Sequence, residues 1–99
     1  MTIVNLIPTT VDVTPNDIAT SIPFNCERCP VAAALGRVLR PDLHAAVSYH
    51  YIEVHGEHLT DRVDVPTPRV VRDWLIGYDQ GRDAPAFTFE VGLPRSVLR

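Results

Sequence analysis

This chain has only two cysteines, Cys26 and Cys29, and they stand three residues apart. They stand in the stretch Asn25-Cys26-Glu27-Arg28-Cys29-Pro30, immediately before an apolar segment with helical spacing. A Cys-x-x-Cys pair can hold a metal ion, form a redox-active disulfide, or bury two small polarisable side chains. The fold decides among these three interpretations, because it determines which groups lie beside the pair.

A closed structural zinc site has four ligands, so the cysteine pair alone supplies two of them. Histidines could complete the set, and all four histidines of the chain stand between residues 44 and 58. His55 and His58 flank a predicted turn, where their side chains could approach each other. The sequence therefore indicates Cys26, Cys29, His55 and His58 as a candidate zinc site, with a spacing that differs from that of a classical zinc finger.

The redox interpretation depends on the position of the thiols at the start of a helix. Unpaired amides and the helix dipole at an N-terminus favour a thiolate, so they lower the pKa of a thiol. A thioredoxin-like motif, however, follows a strand, and here a short helix and Pro23 intervene. The third interpretation, in which both cysteines fill small volumes where a helix meets a sheet, is the one that the sequence favours.

Other reactive arrangements are not evident in the sequence. No serine stands on a nucleophile elbow, and no glycine-rich loop could cradle a phosphate. Tyr49 and Tyr51 share one face of a predicted strand, as in sheets that stack on RNA bases, but the accompanying basic residues of such sheets are missing. A net charge of −3 without a basic run disfavours nucleic acid as a partner. The sequence thus predicts a protein that is not an enzyme.

Two helices and the strands around them position these residues. Thr14-Pro15-Asn16-Asp17 has the cap, proline and acidic residue that begin a short helix. The main helix begins at Pro30 with Asn25 as its expected cap, and Pro41 ends it. Its apolar stripe falls at i, i+3, i+4, i+7 and i+8: Val31, Ala34, Leu35, Val38 and Leu39. Thr67 is the expected cap of a third helix that ends near Gly81.

Strands are predicted from alternation and from β-branched and aromatic content. Pro8 should end an extended N-terminal lead-in, which leaves residues 1–10 as an extension of a single domain that covers residues 1–99. The predicted strands are Val11–Val13, Ala46–Val54, His58–Val65 and Phe87–Leu93, with a turn at residues 55–57.

The resulting order, β-α-β-β-α-β, predicts an α+β two-layer sandwich of the ferredoxin-like or a related type. Both helices would lie on one face of a mainly antiparallel four-stranded sheet. The alternative is another two-layer topology in which the N-terminal segment adds an edge strand. The longest apolar runs are too short to span a bilayer and the N-terminus does not resemble a signal peptide, so we expect a cytoplasmic protein.

Two segments resemble a family of small uncharacterised proteins of tailed phages and prophages, often from actinobacterial hosts. The first runs from Val11 to Ala19 and carries a V-T-x-x-D-I element; the second runs from Cys26 to Leu35 and carries a CxxCP-[IV]-A-x-A-[LI] core. The end of the chain, from Asp79 to Leu93, is similar to the family's final helix and phenylalanine-rich strand. The resemblance implies a phage origin, a place in the host cytoplasm and an accessory role, and it implies no catalytic residue.

The expected function is therefore non-enzymatic binding of a host or phage protein, with unpaired sheet edges that could also form a homodimer. No cofactor is expected on this interpretation. The alternative is a metal- or thiol-dependent module built on Cys26 and Cys29, with zinc as the metal and nucleic acid as a conceivable contact. Native mass spectrometry with and without a chelator would separate the two.

Overall fold

The computed structural model describes residues 5–57 and 63–99 as an α+β domain with antiparallel sheets. Its strands are β1 (Leu6–Val13), β2 (Leu43–Val47), β3 (Tyr51–Gly56), β4 (Val63–Pro66) and β5 (Phe87–Pro94). Its helices are α1 (Pro15–Ala19), α2 (Pro30–Gly36) and α3 (Arg69–Asp79), followed by a 3₁₀ turn at Arg95–Val97. The α+β class predicted from the sequence is confirmed.

The described strands form two sheets instead of the predicted single sheet of four strands. One sheet pairs β1 with β5, and the other has the order β2-β3-β4. Helix α2 contacts both sheets, through β1 and through β2. The described structure thus departs from the ferredoxin-like arrangement, because β1 and β5 pair with each other apart from the other strands.

Strand β1 does not end at Pro8, as the sequence led us to expect. It runs through this residue, and Pro8 lies opposite Gly92 of β5. Each strand of a two-stranded sheet has one unpaired side, where a proline without an N–H group costs no ladder hydrogen bond. Residues 6–10, expected to belong to an N-terminal extension, are therefore part of a paired strand.

The predicted strand Ala46–Val54 is two strands, β2 and β3, joined by a tight turn. The hydroxyl oxygen of Ser48 accepts hydrogen bonds from the backbone N–H of Tyr51 at 3.0 Å and of His50 at 3.3 Å. Serine side chains compete with strand pairing in this way by bonding nearby backbone groups. The chain reverses here, and Val47 pairs with Ile52.

Helix α2 ends at Gly36, well before the predicted end at Pro41. Beyond it the chain pairs with the C-terminal segment: Leu39 bridges Leu98, and the N–H of Arg40 donates to the carbonyl of Val97 at 2.9 Å. This pairing withdraws residues 38–40 from the helix. The apolar stripe still faces the core, because Leu35 and Leu39 are both fully buried.

The N-terminus of α1 confirms its sequence prediction. The N–H of Asp17 donates to the hydroxyl of Thr14, and the N–H of Thr14 donates to the Asp17 carboxylate at 2.8 Å, which together form a capping box. Arg37, just after α2, holds the same carboxylate through both of its terminal nitrogens at 2.7 Å. This ion pair fastens α1 to the end of α2.

Helix α3 ends where the sequence predicts and begins differently. Gly81 has a φ of 75°, and its N–H donates to the carbonyl of Tyr78, while the N–H of Arg82 donates to that of Gly77. This is a Schellman motif, which favours glycine. At the other end Pro68 is the cap, since the hydroxyl of Thr67 donates to the carbonyl of Ser48 and makes no cap.

Aromatic side chains hold α3 against β5. The ring of Trp74 stacks on those of Tyr78 and Phe87, and Phe87 stacks on Phe89. The indole N–H of Trp74 donates to the carbonyl of Pro85 at 2.8 Å. Leu75, the neighbour of Trp74, is buried in the core. These contacts fix the rotation of α3 and with it the position of its last residue, Asp79.

None of the described helices has the length and apolar content needed to cross a membrane.

Candidate functional site

A pocket of about 200 Å³ lies where the loop before α2, the end of β2 and the last turns of α3 meet. Its lining is mostly apolar and includes both cysteines. The residues that form it are Phe24, Asn25, Cys26, Cys29, Val47, Ser48, Tyr49, Leu75 and Asp79. A dry cavity of ~150 Å³ can hold a benzene ring, whereas sites for drug-sized ligands begin at ~300 Å³. The pocket is therefore the size of one large side chain.

The loop before α2 is held by its own polar groups. The Asn25 side-chain oxygen accepts hydrogen bonds from the N–H groups of Glu27 and Arg28, both at 3.1 Å. Asn25, the expected helix cap, thus caps this turn instead. The cap of α2 is Cys29, whose sulfur accepts a hydrogen bond from the N–H of Ala32 at 3.3 Å.

The two cysteines have different environments. Cys29 is 3% exposed, and burial raises the pKa of its thiol above the ordinary value. This is the opposite of the shift expected for a redox-active thiol at a helix N-terminus, because loss of water outweighs the amide hydrogen bonds of the cap. Cys26 is exposed, and its carbonyl accepts a hydrogen bond from the N–H of Val47 at 2.8 Å. Both are free thiols.

Asp79 joins the three segments that form the pocket. Its Oδ1 accepts a hydrogen bond from the backbone N–H of Phe24 at 2.9 Å, and its Oδ2 accepts one from the Tyr49 hydroxyl at 2.5 Å. The hydrogen bond to Asp79 is the main cause that raises the pKa of Tyr49 to about 12, and burial is the second. The phenol is therefore neutral at physiological pH and serves as a donor. The helix dipole disfavours an aspartate in the last turn of a helix, and these two donors offset that effect.

Phe24 is the least typical residue at the pocket. Its φ is 59°, in the left-handed region, which is strained for a bulky residue. Its side chain is 75% exposed, the largest exposed fraction among the large apolar residues that the structure describes. Strained backbone conformations occur preferentially at functional sites. The bond to Asp79 holds Phe24 in this conformation.

His55, the described histidine of the candidate zinc site, lies away from the cysteines. His55 contacts Glu53, with Nε2 and Oε2 3.3 Å apart, and stacks on His44 across the β2–β3 pair. On β3, His55 lies three residues from Ile52, a distance of ~10 Å along a strand. Ile52 pairs with Val47, whose N–H donates a hydrogen bond to the carbonyl of Cys26. His58 lies outside the described residues. Among residues 5–57 and 63–99, no three His, Cys, Asp or Glu side chains gather into a metal-binding group.

The sequence analysis found the cysteines of this pocket but missed three of its partners. Tyr49 was expected on the same strand face as Tyr51, yet it lies in the β2–β3 turn and bonds Asp79. No motif in the sequence marks Phe24, which stands between Pro23 and Asn25. One signal pointed to Asp79: an acidic residue two positions before a helix-ending glycine, where the dipole favours a cation.

Comparison of the chain with family models, curated proteins and solved structures finds no match. The pocket itself offers an apolar recess, an exposed aromatic ring and one carboxylate.

Proposed function

We propose that this chain is a non-enzymatic accessory protein of a tailed phage or prophage, and that it binds a host or phage protein through the pocket beside Phe24. The phage origin comes from the resemblance of the Val11–Ala19 and Cys26–Leu35 segments. The binding role comes from the pocket. Its volume of about 200 Å³ suits a single side chain of a partner better than a cofactor or a substrate of ordinary size.

The observation that carries the proposal is the exposed side chain of Phe24, held on a strained backbone at the edge of this pocket. Its left-handed backbone costs ~1–3 kcal/mol, and the chain retains it next to an aspartate that holds it in place. Aromatic anchors beside well-packed recesses are typical of the residues that dominate protein–protein binding. Phe24 is thus the residue whose loss we expect to weaken binding most.

Capture from lysate of an actinobacterial host tests the proposal. Tagged wild-type protein should retain one specific protein, and Phe24→Ala should lose it. Val70→Ala is a matched control: Val70 is also exposed, at 56%, and stands nine residues before Asp79, ~13 Å along the α3 axis. It should capture the partner as the wild type does.

Two results would contradict this function. Equal capture by the wild type and Phe24→Ala would remove Phe24 from the interface. Capture of nothing, together with retention of DNA by the purified protein on a gel at physiological salt, would indicate a nucleic-acid function instead. Size exclusion of the purified protein shows whether a second copy of the chain is the partner.

The exposed thiol of Cys26 at the same pocket favours one second candidate, a metal- or thiol-dependent module. Mass spectrometry of the native and the denatured protein, with and without a chelator, separates the two. Bound zinc, or a melting temperature that falls on chelation, would support the second candidate. A metal-free protein whose melting temperature does not change would support the first.

A further inference from the structure

The pocket has a charge of one sign. Among the nine lining residues that the structure describes, Asp79 is the only acidic one, and none is arginine or histidine. The chain has no lysine at all. The Asp79 carboxylate accepts one hydrogen bond on each oxygen, from Phe24 and from Tyr49, and a carboxylate has room for about four. It can therefore accept further donors from a ligand.

The position of Asp79 in α3 adds to this charge. It is the last residue of an eleven-residue helix, at the end where the peptide dipoles carry a partial negative charge. The helix end and the carboxylate thus produce a potential of the same sign at one side of the pocket. A cation placed there would be favoured by both, and an anion would be disfavoured by both.

Two aromatic rings supply a third contribution. Phe24 and Tyr49 both line the pocket, and the face of an aromatic ring attracts a cation. The hydroxyl of Tyr49 donates a hydrogen bond to Asp79 and keeps its proton, so its ring remains that of a neutral phenol. The rest of the lining, chiefly Leu75, Val47 and the cysteines, is suited to an apolar chain.

We infer that the pocket selects an arginine or lysine side chain of the partner protein, with the alkyl stem on the apolar lining and the cation beside Asp79, Phe24 and Tyr49. This inference rests on the proposed function and specifies what enters the pocket. Long cationic side chains bury their stems while the charged end stays near water, which matches a pocket that is open at one side.

Nuclear magnetic resonance titration of the full chain at low salt tests this with three small probes of similar length. Butylguanidinium imitates an arginine side chain, 1-pentanol is neutral, and pentanoate is an anion. We expect butylguanidinium to shift the amide signals of Phe24, Cys26 and Val47 and to bind about fivefold more tightly than 1-pentanol, with pentanoate the weakest. Added salt should reduce that preference.

Two variants locate the source of the preference. Asp79→Asn should reduce it to about twofold or less, because the carboxylate charge is lost. Asp73→Asn makes the same change at an exposed carboxylate of α3 that does not line the pocket, so it should keep the preference. The amide spectrum of each variant shows that it is folded, and the wild-type titration alone is already decisive.

Equal or tighter binding of 1-pentanol to the wild type, or a full preference in Asp79→Asn, would overturn the inference. In that case the pocket would still accept an apolar side chain, and the proposed function would stand. If no probe shifted the pocket signals, both the inference and the pocket's proposed role would be wrong.

Discussion

Asp17 and Asp79 lie in different helices, and each joins segments that are distant in sequence. They differ in exposure and in position, since one is near the start of its helix and the other is at the end. Asp17 stands in the first turn of α1, where the dipole favours it, and it is 4% exposed. Asp79 stands in the last turn of α3, where the dipole disfavours it, and it faces a pocket.

The donors around the two carboxylates differ as well. Asp17 is neutralised by the guanidinium of Arg37, in a two-bond ion pair. Among residues 5–57 and 63–99, the donors to Asp79 are neutral, the N–H of Phe24 and the hydroxyl of Tyr49, so no described cation cancels its charge. The comparison indicates that Asp17 serves stability, whereas Asp79 maintains a strained aromatic residue and an uncompensated charge at an open pocket, as a binding site would.

The largest effect expected from this comparison is that of Asp17→Asn. This change keeps the shape of the side chain but removes the charge that Arg37 pairs with, so we expect the free energy of unfolding to fall by about 2 kcal/mol. Urea denaturation measures it. Asp73→Asn is the control, because Asp73 is 59% exposed, and its change should stay within ~0.5 kcal/mol. Equal effects of the two variants would contradict the structural role of Asp17.

Acid should lower the free energy of unfolding by a similar amount, because it protonates the Asp17 carboxylate. The hydrogen bonds from Arg37, opposed by burial and aided by Thr14, lower the pKa of Asp17 from 3.8 to about 2. Because the folded-state pKa is the lower one, this stabilisation is present above pH 4 and is lost as the pH falls towards 2. Between pH 5 and pH 2, the urea midpoint should decrease less in Asp17→Asn than in the wild type. An identical decrease would contradict the assignment.

At the pocket, Asp79→Asn should lower the free energy of unfolding by less than Asp17→Asn does, about 1 kcal/mol, because an asparagine has one acceptor oxygen for two donors. It should also lower the pKa of Tyr49 from about 12 towards 10. The Tyr49 contribution to stability has the opposite sign of pH dependence from Asp17: it is present below pH 10 and lost as the pH rises through 12.

Ultraviolet absorbance of tyrosinate follows this titration directly. Tyr49→Phe should remove a late-titrating phenol, and Tyr51→Phe, which changes an exposed tyrosine, should leave that phenol in place. A titration curve that Asp79→Asn does not alter would show that the Tyr49–Asp79 bond is absent in solution.

The smallest stability effect, and the sharpest test of a functional pocket, is Phe24→Gly. Glycine adopts a φ of 59° without strain, so the variant should be as stable as the wild type or more stable by up to ~1 kcal/mol. It should nevertheless lose the captured partner. Thermal unfolding compares it with Phe24→Ala, which keeps the strain and loses the ring. A Phe24→Gly protein clearly less stable than the wild type would mean that the ring stabilises the fold.

The features that depend on neighbouring residues could be predicted from the sequence. The capping box at Thr14 and Asp17, the stop at Gly81 and the alternation of β5 all appear as predicted, because caps, turns and strand faces are set by side chains within a few positions. The α+β class follows from the same patterns.

The remaining features depend on contacts between segments that are distant in sequence. The C-terminal segment shortens α2, Ser48 divides a predicted strand, and burial raises the pKa of Cys29 where the helix end alone would have lowered it. Phe24, Tyr49 and Asp79 come together across gaps of 25 and 30 residues. No local pattern encodes such contacts, because they depend on which donors and acceptors remain unpaired after the helices and sheets have packed.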